Sequence, residues 1–476
     1  MRKTQDELND LMKRENVDRI WSWSRINCFR NSKYEYFLKY IKKEKEDRCD
    51  SIYTSTGGIA HNILEKYYLN RIKYEDMVSE FDDGWTIAFD VANLKFNRTD
   101  EESNERIADK YYDDLLHFFK THNTLQGQVM IEQFVKVKIN GSLIHGYIDL
   151  CYKDKKDYIH IVDFKTSSAY KGKKAISEAG QLVLYALGLI QAGIPQDKII
   201  IEWNFLKYVN VICYKPKSVK LTYRTIKGEE KVKDKLDEDK IGSTIKATVK
   251  SYLKNGTLTK EEIDDCLNKL VSTNDITILP KDIQENIKIE YLDIENTPRQ
   301  IERSQIGKSL QNDCKKQMKK LGYSDEQINE YLDKLYQTNS IECLPKEVQD
   351  KYIFDDCYVS IPLTDDLIDY WVNEVSNTIK DIELRELDYR NVKSDKCFWD
   401  SEEDVISHSF YFANLCSYSP NKHLPYKEYL EKQNQLQEEK DNLYSDVGSE
   451  TVDVNINETN DTNDDELDLS WLNDLM

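Results

Sequence analysis

The chain has 476 residues, 39% of them hydrophobic and 32% charged, with a formal net charge of −20. That length admits two or three domains, and no run of about 18 apolar residues marks a membrane span. Ten cysteines scattered singly exclude a disulfide framework and fit a reducing cytoplasm. The opening Met1–Glu7 has no apolar segment after its charges, so no signal peptide is expected.

In chain order, Gly58–Tyr68 reads as an amphipathic helix carrying His61, with Glu65 one turn later. A lone histidine on such a helix is more often a core residue than a ligand. Ser142–Asp154 and Tyr158–Ser167 alternate apolar and polar residues, the period of half-buried strands, and the short polar link Lys155–Asp157 predicts that they pair antiparallel. Residues two apart in a strand share a face, so Asp163 and Lys165 point together while Phe164 points into the opposite layer. A suitable register brings Asp149 across from Asp163. Two close carboxylates repel unless a cation sits between them, and oxygen ligands suit Mg²⁺ or Mn²⁺. Two acids and a lysine on a hairpin are also a common solvated surface, and both readings stand on spacing alone. Lys171, Lys173 and Lys174 follow directly, either a basic groove or a solvated turn.

Ala175–Ala192 has helical apolar spacing that puts Gln181 and Tyr185 four apart on one face. Lys198–Lys207 alternates as a strand, with Asn204 and Lys207 expected to be exposed. Next comes an internal repeat. Ile263, Leu267, Leu270, Ile276, Leu279 and Pro280 recur as Ile328, Leu332, Leu335, Ile341, Leu344 and Pro345, and Ile241-Gly242 recurs as Ile306-Gly307. Val219–Tyr223 resembles Ile287–Tyr291, which suggests copies at about 219–286 and 287–351, each a strand, two helices and a turn. Two helical units that merely pack together, or units that extend a binding path or hold a partner, both explain the repeat. Tyr358–Pro362 reads as a strand and Thr364–Leu384 as an amphipathic helix. From Glu431 to Met476 acids outnumber Lys432 and Lys440 by about twelve, the pattern of a disordered acidic tail. Leu467, Leu469, Trp471, Leu472 and Leu475 at its end form an apolar tip suited to docking a partner protein.

Gly146-x-x-Asp149, then Ile161-Val162-Asp163-Phe164-Lys165-Thr166, then Gln181-x-x-x-Tyr185, resembles the PD-(D/E)xK nucleases of the RecB-like branch, which includes CRISPR-associated exonucleases. His61 after Thr56-Gly57-Gly58 matches that family's upstream histidine, and Trp23–Phe29 with Tyr34–Leu38 resembles its opening helix. The likeness covers about residues 20–215 and 353–425. It implies an α/β fold with a mixed central sheet flanked by helices, the restriction-endonuclease-like core, here with an inserted, duplicated, mainly helical domain. The expected organisation is a nuclease core at 1–216, the insertion at 217–352, the closing part of the core at 353–430 and the tail at 431–476. The resemblance further implies metal-dependent hydrolysis of DNA, with exonuclease action on single strands or ends. It assigns Mg²⁺ or Mn²⁺ to Asp149, Asp163, His61 and the Phe164 carbonyl. Lys165 orients the attacking water or steadies developing charge, and Gln181 and Tyr185 face the cleft. Many relatives carry four cysteines for an iron–sulfur cluster. Here Asn31-Ser32 replaces the usual Cys-Pro, and Cys28, Cys397 and Cys416 lack clustered spacing, so no cluster is expected.

Overall fold

The computed structural model describes residues 2–48, 51–96, 100–125, 128–214, 217–237, 241–255, 258–273, 275–293, 298–399, 410–423 and 435. The chain divides into two compact units, Met1–Ser419 and Pro420–Met476. In the second, the described residues are the 3-10 turn Pro420–His423 and Gln435. The expected acidic tail and its apolar tip otherwise lie outside the described residues. No helix among the described residues is long and apolar enough to cross a membrane.

The first unit opens with α1 (Gln5–Glu15), β1 (Ile20–Ser22), α2 (Trp23–Asn31) and α3 (Lys33–Tyr36), the last continued by a π-helical turn to Lys42. Side chains start these helices where the sequence changes direction. Thr4 and Glu7 form a capping box on α1, and Ser22 and Ser32 cap α2 and α3. Helices α4 (Ile52–Tyr68), α5 (Asp76–Trp85) and α6 (Glu101–Thr121) follow. Then come β2 (Val129–Ile139), β3 (Ser142–Lys153), β4 (Ile159–Lys165), α7 (Lys173–Glu178), α8 (Gly180–Gln191) and β5 (Ile199–Cys213).

Among the described residues, seven strands make a mixed central sheet in the order β1-β3-β4-β5-β10, with β2 added on β3 and β9 on β5. Here β9 is Arg299–Glu302 and β10 is Tyr352–Ile361. One face packs on α4, α5 and α6 through Leu150, Val162, Phe164 and Leu206. The other is covered by α8, on which the long closing helix α15, Asp365–Val392, packs in turn. Buried Glu386 of α15 accepts from Arg19 (2.7 Å) and the Tyr36 hydroxyl (2.8 Å), which ties the closing helix to the opening segment.

Asn204 and Lys207, expected to be exposed, are both buried. Strand β5 is an inner strand between β4 and β10, with α6 packed across it. It is also bulged: β5 runs from Asn204 to Val209 over the stretch that β10 covers from Tyr358 to Asp356. The bulge turns Lys207 inward, where its ammonium lies 3.8 Å over the Tyr111 ring.

The insertion is a nested duplication. One copy comprises β6 (Lys217–Arg224), β7 (Glu230–Asp237), α9 (Ile241–Leu253), α10 (Lys260–Thr273), α11 (Lys281–Gln284) and β8 (Ile287–Asp293). Its strands form a separate sheet, β7-β6-β8, over a core that includes Val219, Leu221, Leu267 and Leu270. The boundary expected at 287 is therefore corrected. Ile287–Tyr291 is not the start of the second copy. It pairs with Val219–Tyr223 inside the first, because its apolar residues close that copy's core.

The second copy uses the end of β5 as its first strand, then β9, α12 (Ile306–Lys320), α13 (Asp325–Thr338), α14 (Lys346–Gln349) and β10. The registers coincide. Val219 pairs with Leu236 and Tyr223 with Ile287, just as Val209 pairs with Ile301 and Cys213 with Tyr352. The first copy thus sits between the first two strands of the second. Gly307 is the contact point of the second copy's helices: a Cβ there would meet the Leu335 carbonyl oxygen at 2.1 Å.

Helix α6 carries Asp114, fully buried, which accepts from the Ser304 backbone N–H at 2.7 Å. Burial pushes its carboxyl up to about 6, against the opposing pull of Ser304 and Lys207. The unfolded value is about 4. Stability from this group is therefore full below about pH 4 and lost as pH rises to about 6, a loss of up to about 3 kcal/mol. Asp114→Asn keeps the acceptor and removes the charge. It should unfold at higher urea than the parent at pH 8, with the gap closing toward pH 4. An unchanged midpoint difference across that range would refute the assignment.

Candidate active site

The site forms where two paired strands part. β3 and β4 pair from Lys153↔Ile159 to Leu150↔Val162, and the next residues are Asp149 and Asp163. Beyond that point β3 takes β1 as its neighbour in parallel, Ile20↔Leu143 to Ser22↔His145. Asp149 thus reaches the Phe164 backbone N–H, which donates to its Oδ2 at 3.2 Å. Burial pushes the Asp149 carboxyl up to about 6; His61 opposes the shift and Asp163 adds to it.

Asp163 is buried, and the Lys165 ammonium lies 2.5 Å from its Oδ2. The contact is a close ion pair that compensates the buried carboxylate. Lys165 keeps 28% of its side chain exposed, and Asp163, despite burial, raises its affinity for its proton. Phe164, between them, points into the layer of α4–α6, as its alternate position in the strand requires.

Helix α4 is capped by Ser51 and carries His61 to this fork. His61 Nε2 donates to the Phe164 carbonyl at 3.0 Å, and Nδ1 lies 3.5 Å from Asp149 Oδ2. Glu65, one turn on, faces Arg71 at 3.6 Å instead. From α8, the Gln181 side-chain amide donates to the Tyr185 hydroxyl at 3.1 Å. Tyr185 is buried, within electrostatic reach of Asp149, Asp163 and Lys165. It lies across β3 at Gly146, where a Cβ would come within 2.4 Å of its ring. That contact explains the glycine three residues before Asp149. Lys171, Lys173 and Lys174 are exposed just beyond the site, with Lys174 5.4 Å over the ring of Tyr170.

Two carboxylates, a backbone carbonyl and one imidazole meet here, the donor set of a hard divalent cation. Yet among the described residues no three His, Cys, Asp or Glu side chains already converge as a cage. His61 and Lys165 instead occupy the Phe164 carbonyl and the Asp163 carboxylate.

Three cysteines bear on the expected absence of a cluster. Cys28 and Cys416 both lie beside the buried Glu35 carboxylate, and burial raises both thiols. The Cys397 carbonyl accepts from Arg385 at 2.9 Å. Direct bonds fasten the segment after α16 (Phe410–Asn414) to the opening helices: Tyr418 to the Glu44 carbonyl at 3.0 Å and the Ser419 N–H to Asp47 at 2.8 Å.

A mixed sheet whose splayed strands present two acids and a lysine, with a histidine from a flanking helix, defines a restriction-endonuclease-like core built for phosphodiester chemistry. The chain belongs to the PD-(D/E)XK nuclease superfamily, whose sequence profile matches residues 20–272, more than half of it. The match spans every residue of the fork and runs on into α10 of the first copy. Nucleases of this superfamily generally use divalent metals such as Mg²⁺ or Mn²⁺. No curated protein matches the chain.

Proposed function

We propose that the protein is a Mg²⁺- or Mn²⁺-dependent deoxyribonuclease of the RecB-like branch, an exonuclease on single strands or DNA ends that serves replication, recombination or repair. The observation that carries this reading is the meeting of Asp149, Asp163, Lys165 and the His61-bonded Phe164 carbonyl at one fork. Asp149, Asp163, His61 and the Phe164 carbonyl would hold the metal. When bound, the metal supplies Lewis acidity to the scissile phosphate and lowers the pKa of a water. Lys165, anchored on Asp163 and partly exposed, orients that water and compensates charge on the phosphate. Tyr185, held by Gln181, walls the site and fixes Lys165 and the acids in register. The lysines at 171, 173 and 174 meet the phosphate backbone. The acidic tail docks a protein partner through Trp471 and its flanking leucines.

Labelled single- and double-stranded DNA and RNA, linear and circular, incubated with Mg²⁺, Mn²⁺ or EDTA, test the assignment. Metal-dependent loss of label from linear DNA ends, with circles intact, is expected. Cleavage of circles would make it an endonuclease, and cleavage of RNA alone would redirect the substrate. No cleavage of any member of the panel would leave a binding protein on a nuclease fold.

A further inference from the structure

The two copies of the insertion sort their charge in the same way. In each, the second helix is acidic: Glu261, Glu262, Asp264 and Asp265 on α10, and Asp325, Glu326, Glu330 and Asp333 on α13. Lys269 and Lys334 are paired within the helix, with Asp265 at 2.8 Å and Glu330 at 2.7 Å, and Lys260 opens α10. The first helices are the reverse. Helix α9 has no acid, and α12 has five lysines and one acid, Asp313, which faces Arg299 at 3.2 Å.

Helix α12 buries Leu310, Cys314 and Met318 against Val209 and Val211 of β5. Lys308, Lys315 and Lys319 lie at spacings of seven and four, on one face turned from that core, with Lys316 beside them. Lys308, Lys315 and Lys316 are exposed, and among the described residues no carboxylate lies within 4.0 Å of them. Lys319 meets Asp325 at 3.5 Å. The helix dipole favours the lysines of the last turn, but it opposes Lys308 in the first. Lys250 and Lys254 of the first copy stand at the positions of Lys315 and Lys319, so part of the pattern is duplicated with the fold.

The first strand of the second copy begins near the level of the fork. Asp163 is level with Trp203, which pairs with Val359, and the second copy begins at Val209, which pairs with Asp356. Three residues of β10 separate the two, about 10 Å at 3.4 Å each. From Lys308 to Lys319 the helix runs about 16 Å, the length of about five phosphates of one strand at 3.4 Å each. A surplus of uncompensated cations in a strongly acidic chain suits a polyanion.

We infer that the exposed lysine faces of α12 and α9 form a duplicated track that holds the phosphate backbone of the nucleic acid beyond the cleavage site. The inference rests on the nuclease reading above.

Anisotropy titrations of a labelled 30-nucleotide DNA, single- and double-stranded, test it in the full chain carrying Asp163→Asn, across a salt series. Reversing Lys308, Lys315 and Lys316 to Glu should weaken binding at least tenfold at low salt. It should also reduce the slope of log K against log salt by about 2–3, the release expected for three phosphate contacts. Lys250→Glu with Lys254→Glu should reduce it by about 1–2. The corresponding Gln variants, with unchanged melting, should give smaller losses in the same order. Binding within twofold of the parent and an unchanged slope overturn the track, as does a change of oligomeric state with binding retained. Cleavage by the unsubstituted chain tests the nuclease reading separately, so failure of the track leaves that result standing. A parent that binds no nucleic acid overturns both.

Discussion

Asp163→Ala should abolish cleavage while leaving the fold standing. The carboxylate is buried at the fork and faces the Lys165 ammonium, so the loss removes a charge site rather than a brace of the core. The proposed metal and water would lose several kcal/mol of organisation, equivalent to at least about a thousandfold in rate. The structural cost is small because Lys165 keeps 28% of its side chain in contact with solvent and turns outward once unpaired. Asp149→Ala and Lys165→Ala should follow the same pattern. Turnover on end-labelled DNA, read beside urea melts of each variant, checks both halves. Full activity in the Asp163 variant would remove this fork from the chemistry, and collapse of the fold would show that the acid pair is structural.

The second large effect is expected far from the fork. Arg303, just after β9, is buried and donates to Asp356 of β10 at 2.8 Å, to the Tyr208 carbonyl at 2.9 Å and to Thr121 of α6 at 2.8 Å. It also donates to His117 Nδ1 at 3.1 Å, and burial, reinforced by Arg303, holds that imidazole down at about 4, neutral and able to accept. On the other side, Asp356 accepts from His122 at 2.7 Å and from the Asn123 N–H at 3.1 Å. Burial alone would raise its carboxyl, but His122 and Arg303 together hold it below the ordinary range. These bonds tie β9 to β10 within the second copy and pin both to α6. Arg303→Ala leaves Asp356 buried without its guanidinium and should cost about 3–5 kcal/mol. Removing both charges, Arg303→Met with Asp356→Leu, should recover much of that. Urea unfolding of the three chains reads the difference. A loss below about 1 kcal/mol in Arg303→Ala would mean the network relaxes onto water.

The fork was the part most legible in the sequence. Asp149, Asp163 and Lys165 lie on two alternating strands joined by a short polar link, and strand periodicity alone determines which side chains share a face. The register follows from the link, and the structure brings Asp149 next to Asp163 as the spacing requires. His61 was harder, since one histidine on an amphipathic helix has no local sign of its partner 103 residues on. Asn204 and Lys207 misled because their polarity suggests exposure, whereas β5 is an inner strand with helices packed on it, and its bulge has no proline or glycine to mark it. Arg303 was missed entirely. Its partners come from α6, β5 and β10, and only a long-range fold brings them to one buried arginine. The repeat was visible through its apolar positions, yet its ends were not. Ile287–Tyr291 resembles Val219–Tyr223 because both are strands of one small sheet, a likeness of environment rather than of position.

The nesting of the two copies has a further meaning for how such a chain grows. Val211 and Arg299 are cross-strand neighbours, so the whole first copy leaves and re-enters the sheet through a doorway one strand spacing wide, about 5 Å. In the first copy the same doorway, between β6 and β7, is shut by a tight turn, where Thr225 N–H meets the Glu229 carbonyl at 2.7 Å and Gly228 takes a φ of 84°. One hairpin, then, is closed by a few residues in one copy and by an entire copy in the other. The unit can be grafted into itself without disturbing a strand of its host, and excising it would need only a turn to heal the gap.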